Sequence, residues 1–182
     1  FSQEMSARAG DVLHYNNTLS LEEGIDLYTV AKGIKAFLTA DRPAYPAPER
    51  LKMAEGFIQR YEMGDTPPRA LALLSDAWLA FLDRQFDIQQ AHRKYPIRYF
   101  HHGRLFTNVI DLLLETPKGL VIIQNSGFDG GELPKMKQRA LQNLGSWCYL
   151  SGCAAREIFG QEQVRTFVHF VLSGTLVEIG IR

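Results

Sequence analysis

The stretch VIDLLLETPKGLVIIQNS, residues 109–126, decides how the rest of the chain is arranged. Ile110-Asp111-Leu112-Leu113-Leu114 and Leu120-Val121-Ile122-Ile123 are apolar at consecutive positions, which suits strands covered on both faces. Pro117 and Gly119 supply a tight turn between them. Two strands are expected, over 105–115 and 120–125, at the centre of a sheet. One carboxylate, Asp111, enters on the first strand. Two uncharged polar residues, Gln124 and Ser126, leave on the second, and a spacing of two places them on one face.

Working outward, Tyr95, Ile97 and Tyr99 alternate with polar residues and predict a strand from residue 93 to a turn at Gly103. Three helices precede it. Leu27, Val30, Ile34, Phe37 and Leu38 recur at helical spacing over 25–40, and Asp41-Arg42-Pro43 ends that run. Pro43, Pro46 and Pro48 form a stiff linker, with Pro48 placed to start a second helix. Its face is Leu51, Ala54, Ile58 and Tyr61, and it stops near Gly64. Pro67-Pro68 opens a third, running to Phe86, whose stripe of Leu71, Leu74, Trp78, Phe81 and Leu82 reads as core. Residues 1–24 show no period and are expected to be a loosely structured lead-in. Downstream, a flexible loop over 127–131 leads into a helix over 133–159, closed by Gly160. Strands over 164–172 and 176–181 follow, joined through Ser173-Gly174. The fold class is α+β with a mixed central sheet. A helical segment, 1–92, packs on an α/β core, 93–182, and the two make one domain.

At 182 residues with 46% hydrophobic content the chain can bury a sizeable core. Lysine plus arginine number 20 and aspartate plus glutamate 20, so any nucleic-acid contact must come from a local patch or a larger assembly. Cys148 and Cys153, five apart in a helix, fall on different faces. They read as reduced, buried, small hydrophobes in a cytoplasmic protein. No apolar run reaches the roughly 18 residues of a membrane span, so no membrane partner is expected. The chain begins at Phe1 rather than methionine, and a piece of a longer protein is expected.

Residues 104–126, RLFTNVIDLLLETPKGLVIIQNS, resemble the core of the PD-(D/E)XK nucleases. They are most similar to the C-terminal nuclease domain of AddA- and RecB-type helicase–nucleases, the exonuclease V beta subunits, which read like GRIDLLLE, then G, then VIIDHKS. AKGIKAFLTAD, residues 31–41, is similar to their GTAVHAFLAAD, and the 133–159 helix stands where theirs carries QLxxY. The resemblance spans nearly the whole chain. It implies a restriction-endonuclease-like fold and a role in DNA double-strand-break repair and recombination. It also implies DNA, a helicase portion of the same polypeptide and an AddB/RecC-like subunit as partners.

The family site uses a histidine, two acids and a lysine around one or two Mg²⁺ ions, which activate water and offset charge on the scissile phosphate. Carried over by position, only Asp111 is retained. The histidine falls on Lys35, the second acid on Gln124 and the lysine on Ser126. The glutamate before the first-strand proline falls on Lys94, the helix Gln and Tyr on Asn143 and Trp147, and a glycine on Asn108. A degenerate, inactive site without a cofactor is expected, with Lys35 standing in for the ion against Asp111 and Gln124 able to donate to the same carboxylate. The alternatives are an active Mg²⁺-dependent exonuclease with a rearranged site, and a non-DNA binding module on the same fold. By period two Glu115 shares a face with Asp111 but lies about 13 Å away, and Asp129 and Glu132 could approach from the loop.

Candidate DNA contacts are Lys135, Lys137 and Arg139 at the start of the last helix, with Arg98 and Arg104 on the first two strands. Phosphate tracking needs only their charge and outlasts catalysis. His101 and His102 are consecutive on a strand, point to opposite faces and make poor co-ligands. His14, His92 and His169 have no metal-ligand spacing. No Walker-type loop is present, and neither Ser126 nor Ser151 has triad partners.

Overall fold

The computed structural model describes residues 7–17, 19–128 and 132–181. In chain order the elements are β1 (Ala7–His14), α1 (Leu27–Ala40), α2 (Ala47–Arg60), α3 (Pro68–Phe86), β2 (Gln90–His101), β3 (Arg104–Thr116), β4 (Gly119–Ser126), α4 (Leu133–Phe159), β5 (Val164–Phe170) and β6 (Thr175–Ile181). The strands form one six-stranded sheet in the order β1-β6-β5-β4-β3-β2. Only β4 and β5 are parallel, with α4 as their crossover; every other pair is antiparallel. The α+β class and the mixed sheet agree with the sequence reading. Among the described residues no helix is long and apolar enough to cross a membrane.

One expectation is overturned at the start of the chain. Residues 7–14 are not a loose lead-in but an edge strand paired with β6. The register shifts between Ala9 and Val12, and that irregularity removes the period-two alternation by which a strand is recognised. The sheet therefore draws on the N-terminal segment as well as on 93–182.

The helices divide between the two faces. α1, α2 and α3 cover Leu114, Val121, Ile123 and Phe167 with Ile34, Phe37, Leu71, Leu74, Trp78 and Phe81. On the other face α4 covers Ile97, Ile110, Leu113, Leu120 and Ile122, and further along Val168, Phe170, Val177 and Ile179. The α3 aromatics are core, as their spacing predicts. The helix boundaries follow local chemistry. Asp26 caps α1 by accepting from Tyr28 N and from the Thr29 hydroxyl. Prolines open α2, α3 and α4, and Gly160 ends α4 in the left-handed conformation.

A phase change in two neighbouring strands shapes the site. Lys94 has φ +51°, and Lys94 and Asp111 drop out of the β2–β3 ladder, which continues on either side without a shift in register. His92 and Tyr95 both pack toward Phe159 of α4. Arg93 and Lys94, between them, both turn toward α1. On β3, Ile110 and Leu113 face α4 while Asp111 and Leu112 face the α1–α3 layer. Both strands thus change face at the same point.

The α1–α3 layer is tied together by Asp41. Its carboxylate is fully buried and accepts two bonds from Arg50, at 2.9 and 2.7 Å, while Arg50 also reaches Asp76 of α3 at 2.7 Å. Burial alone would raise the Asp41 pKa, but hydrogen bonds from Arg50 and Ser75 hold it below the ordinary carboxylate value. Removing Arg50 strands a buried charge, so Arg50→Leu is expected to lower unfolding free energy by about 3–5 kcal/mol in denaturant titrations. Since the folded pKa is depressed, the stabilisation is present above the unfolded value of about 4 and is lost as pH falls below it.

Candidate functional site

Asp111 lies 14% exposed where β3 and β4 part. The ladder between them ends at Leu112–Ile123, and side chains replace the missing backbone bonds. The Asp111 N–H donates to Gln124 Oε1 at 3.3 Å, and the Asn125 N–H donates to Asp111 Oδ2 at 2.9 Å. The other carboxylate oxygen, Oδ1, accepts from Lys94 Nζ at 2.6 Å. Both oxygens of Asp111 are therefore engaged, one by an ammonium and one by the backbone.

The expected counter-ion is corrected. Lys35 makes no ion pair with Asp111; its ammonium lies beside Gly127, 3.8 Å from where a Cβ on that residue would stand. Lys94 takes the part, because the phase change turns it onto the Asp111 side. Gln124 meets Asp111 through its amide oxygen, which accepts from the Asp111 N–H, while the donors to the carboxylate are Lys94 and the Asn125 N–H. Ser126 opens onto a different hollow, with Leu27, Tyr28, Gly127 and Phe128. Gln124 and Ser126 do share a face, being in register with Val168 and Phe170 of the α4-side core, but Asp111 faces the other way. Glu115 is corrected too: it sits on the α4 side, bonded to His92 Nε2 at 2.8 Å. Period two fails between Asp111 and Glu115 because of the phase change. Of the loop acids, Glu132 is exposed at the N-cap of α4, and Asp129 lies outside the described residues.

These donors do not suit a divalent cation. Mg²⁺ asks for oxygen ligands on one side of an octahedron. Among the described residues a single carboxylate stands here and is already bound to an ammonium, the neighbouring amide oxygen is spent on a backbone N–H, and the hydroxyl faces a separate hollow.

What Asp111 does border is a cleft of about 490 Å³ between α1, α2 and β2, lined by Lys32, Lys35, Arg60 and Lys94 together with Thr39, Phe57 and Tyr61. Gly33 brings the walls together. A Cβ there would stand 2.8 Å from both Met63 Sδ and Tyr61 Cβ, so α1 can lie against the end of α2 only because the residue is glycine. Lys32 and Arg60 had no distinguishing sequence signal. Lys94 had one, since the resemblance sets it against a glutamate.

Behind Asp111 runs a buried polar chain that the sequence did not reveal. Asn125 Oδ1 lies 2.8 Å from His169 Nδ1, and His169 Nε2 lies 2.9 Å from the Tyr15 hydroxyl. Trp78 stacks on the imidazole at 4.0 Å. Burial lowers the His169 pKa to about 3, so the ring is neutral. With a carbonyl oxygen facing Nδ1, that nitrogen carries the proton and Nε2 accepts from Tyr15. Burial likewise raises the Tyr15 pKa above its usual value and keeps it a donor.

The other candidates lie apart from the cleft. Arg98 and Arg104 are exposed toward the end of the β2–β3 hairpin, near the exposed pair Phe100 and Leu105. Lys135, Lys137 and Arg139 open α4, with the Arg139 guanidinium 4.7 Å from the centre of the Phe128 ring. Asn143 and Trp147 are exposed on the same helix. Asn108 donates to the buried Ser151 hydroxyl. His101 and His102 are not on opposite faces, because His102 enters the turn at φ +47° and the two rings meet edge to face at 4.2 Å. Cys148 is buried, which pushes its thiol up to about 12, while Cys153 is only half-buried.

Three outcomes follow from this geometry. Asp111→Ala removes the acceptor of the Asn125 N–H and is expected to cost about 1–3 kcal/mol of stability. Lys94→Met loses only a half-exposed ion pair and should cost about 1 kcal/mol or less in the same denaturant titration. His169 is neutral in the fold but titrates near pH 6.5 when unfolded. The unfolded chain then binds the extra proton, so stability falls as pH drops from about 6.5 toward about 3. Unfolding at a series of pH values should show a slope of up to about 1.4 kcal/mol per pH unit there, flattened in His169→Gln.

No family model matches the chain, and no curated protein matches it.

Proposed function

We propose that this chain is a nuclease-like module with a restriction-endonuclease-like core, of the kind found in AddA/RecB-type helicase–nucleases, that guides DNA without cutting it. The observation that carries the reading is the state of Asp111. The family's first metal-binding acid is bound to Lys94 and to the Asn125 N–H, and no second acid stands beside it among the described residues. An active site of this kind needs the carboxylate open to a cation. Here the adjoining cleft carries ammonium and guanidinium groups, which attract phosphate. A role in double-strand-break repair, beside a helicase portion and an AddB/RecC-like subunit, accords with the resemblance of residues 31–41 and 104–126.

The test is incubation of the purified protein with linear single- and double-stranded DNA in Mg²⁺ or Mn²⁺. The expected outcome is intact DNA together with retention that weakens steeply as salt rises. Degradation that disappears in Asp111→Ala would overturn the non-cleaving reading. Absence of retention at low salt would overturn the DNA role.

A further inference from the structure

We propose that the cleft beside Asp111 is an anion site for a phosphate ester of nucleotide size, held by Lys32, Lys35, Arg60 and Lys94. The inference deepens the guiding role above by naming the ligand and the residues, and it rests on the phosphate-binding part of that reading.

The first support is charge. The chain as a whole is neutral, yet four cations and one carboxylate line this cleft. Asp111 is bonded to one of the four, Lys94, which leaves an excess of positive charge among Lys32, Lys35 and Arg60. These come from two elements. Lys32 and Lys35, three apart, share a face of α1, while Arg60 ends α2. The close approach at Gly33 draws the two groups to one opening. Like charges held together in this way repel, and a bound anion offsets that repulsion.

The second support is size and wall chemistry. About 490 Å³ falls within the range of small-molecule sites. Arg60 offers a planar fork to phosphate oxygens and the lysines offer point charges. Phe57 and Tyr61 stack on one another, with ring centres 6.1 Å apart and planes 13° apart, and both line the cleft beside these cations. They give a base or sugar an apolar wall while the phosphate meets the cations.

The third support is the place of Lys94. A bare carboxylate in the wall would repel a phosphate. With Lys94 on Oδ1 and the Asn125 N–H on Oδ2, Asp111 presents little negative charge to the opening.

A phosphate group can arrive on a free nucleotide or along a nucleic-acid strand, and calorimetry at low salt separates the two. The probes are inorganic phosphate, a nucleoside 5′-monophosphate, the matching nucleoside and a short oligonucleotide. The monophosphate should bind at least about tenfold more tightly than the nucleoside, and Lys35→Gln and Arg60→Gln should each weaken it about tenfold. Lys118→Gln, in the exposed β3–β4 turn, should leave binding unchanged. Equal binding of nucleoside and monophosphate, or full affinity in the Lys35→Gln/Arg60→Gln double variant, overturns the site. Monophosphate binding without oligonucleotide binding keeps the site and removes the DNA-guiding role. Equal retention of oligonucleotide by the wild type and the double variant keeps the guiding role and removes this site.

Discussion

A single ion pair, Lys94 with Asp111, stands where two neighbouring strands change face together. Its carboxylate is mostly withdrawn from water but is shared between Lys94 and the Asn125 N–H, and with the ammonium half exposed the pair itself contributes about 1 kcal/mol or less. Its ammonium hangs from a left-handed backbone, which costs a non-glycine residue roughly 1–2 kcal/mol. The pair offsets part of that cost, and the packing of His92 and Tyr95 on Phe159 holds the strand on either side. The left-handed turn of Lys94 aims its amine at Asp111, and the carboxylate gives that amine a reason to stay. The pair also fixes which residues face which helices, since Arg93 and Leu112 on one side, and Tyr95 and Ile110 on the other, follow from where the phase changes.

The same carboxylate organises the opening between β3 and β4. Once the ladder stops at Leu112–Ile123, two backbone N–H groups would be left without partners. Gln124 takes one and Asp111 takes the other. Asn125, held by that bond, presents its amide oxygen to His169, and His169 accepts from Tyr15 just beyond β1. One continuous path of hydrogen bonds therefore runs from the cleft through the sheet to the N-terminal segment, roofed by Trp78 of α3. In an apolar surround such a chain has few alternative pairings, which specifies how β1 and α3 sit on the sheet.

Much of this was legible in the sequence where the signal was local and periodic. The apolar runs at 110–114 and 120–123 marked buried strands, and the prolines and Gly160 marked helix ends within a residue or two. What escaped was whatever depended on broken periodicity or on distance along the chain. β1 carries a register shift, so it shows no alternation. Glu115 and Asp111 are four apart and by period two share a face, yet the phase change separates them. Tyr15 and His169 are 154 positions apart, and nothing in either neighbourhood announces the other. Lys94 was the recoverable case. It was already aligned to a site position, but a regular strand would have left its side chain no more than one of several on that face.

The identity of the groups around Asp111 bears on what kind of ligand the site prefers. A cluster of carboxylates selects cations, and the protein's role is then to hold several negative charges close enough that only a metal relieves them. Around Asp111 the groups are instead Lys32, Lys35, Arg60 and Lys94, so the charge lining the cleft has the opposite sign. Asp111 does not act as such a cluster, because it is consumed in holding one of the lysines. The ligand that best relieves Lys32, Lys35 and Arg60 is an anion. The ion pair that occupies the carboxylate is then the same one that leaves the positive charge of the cleft facing its opening.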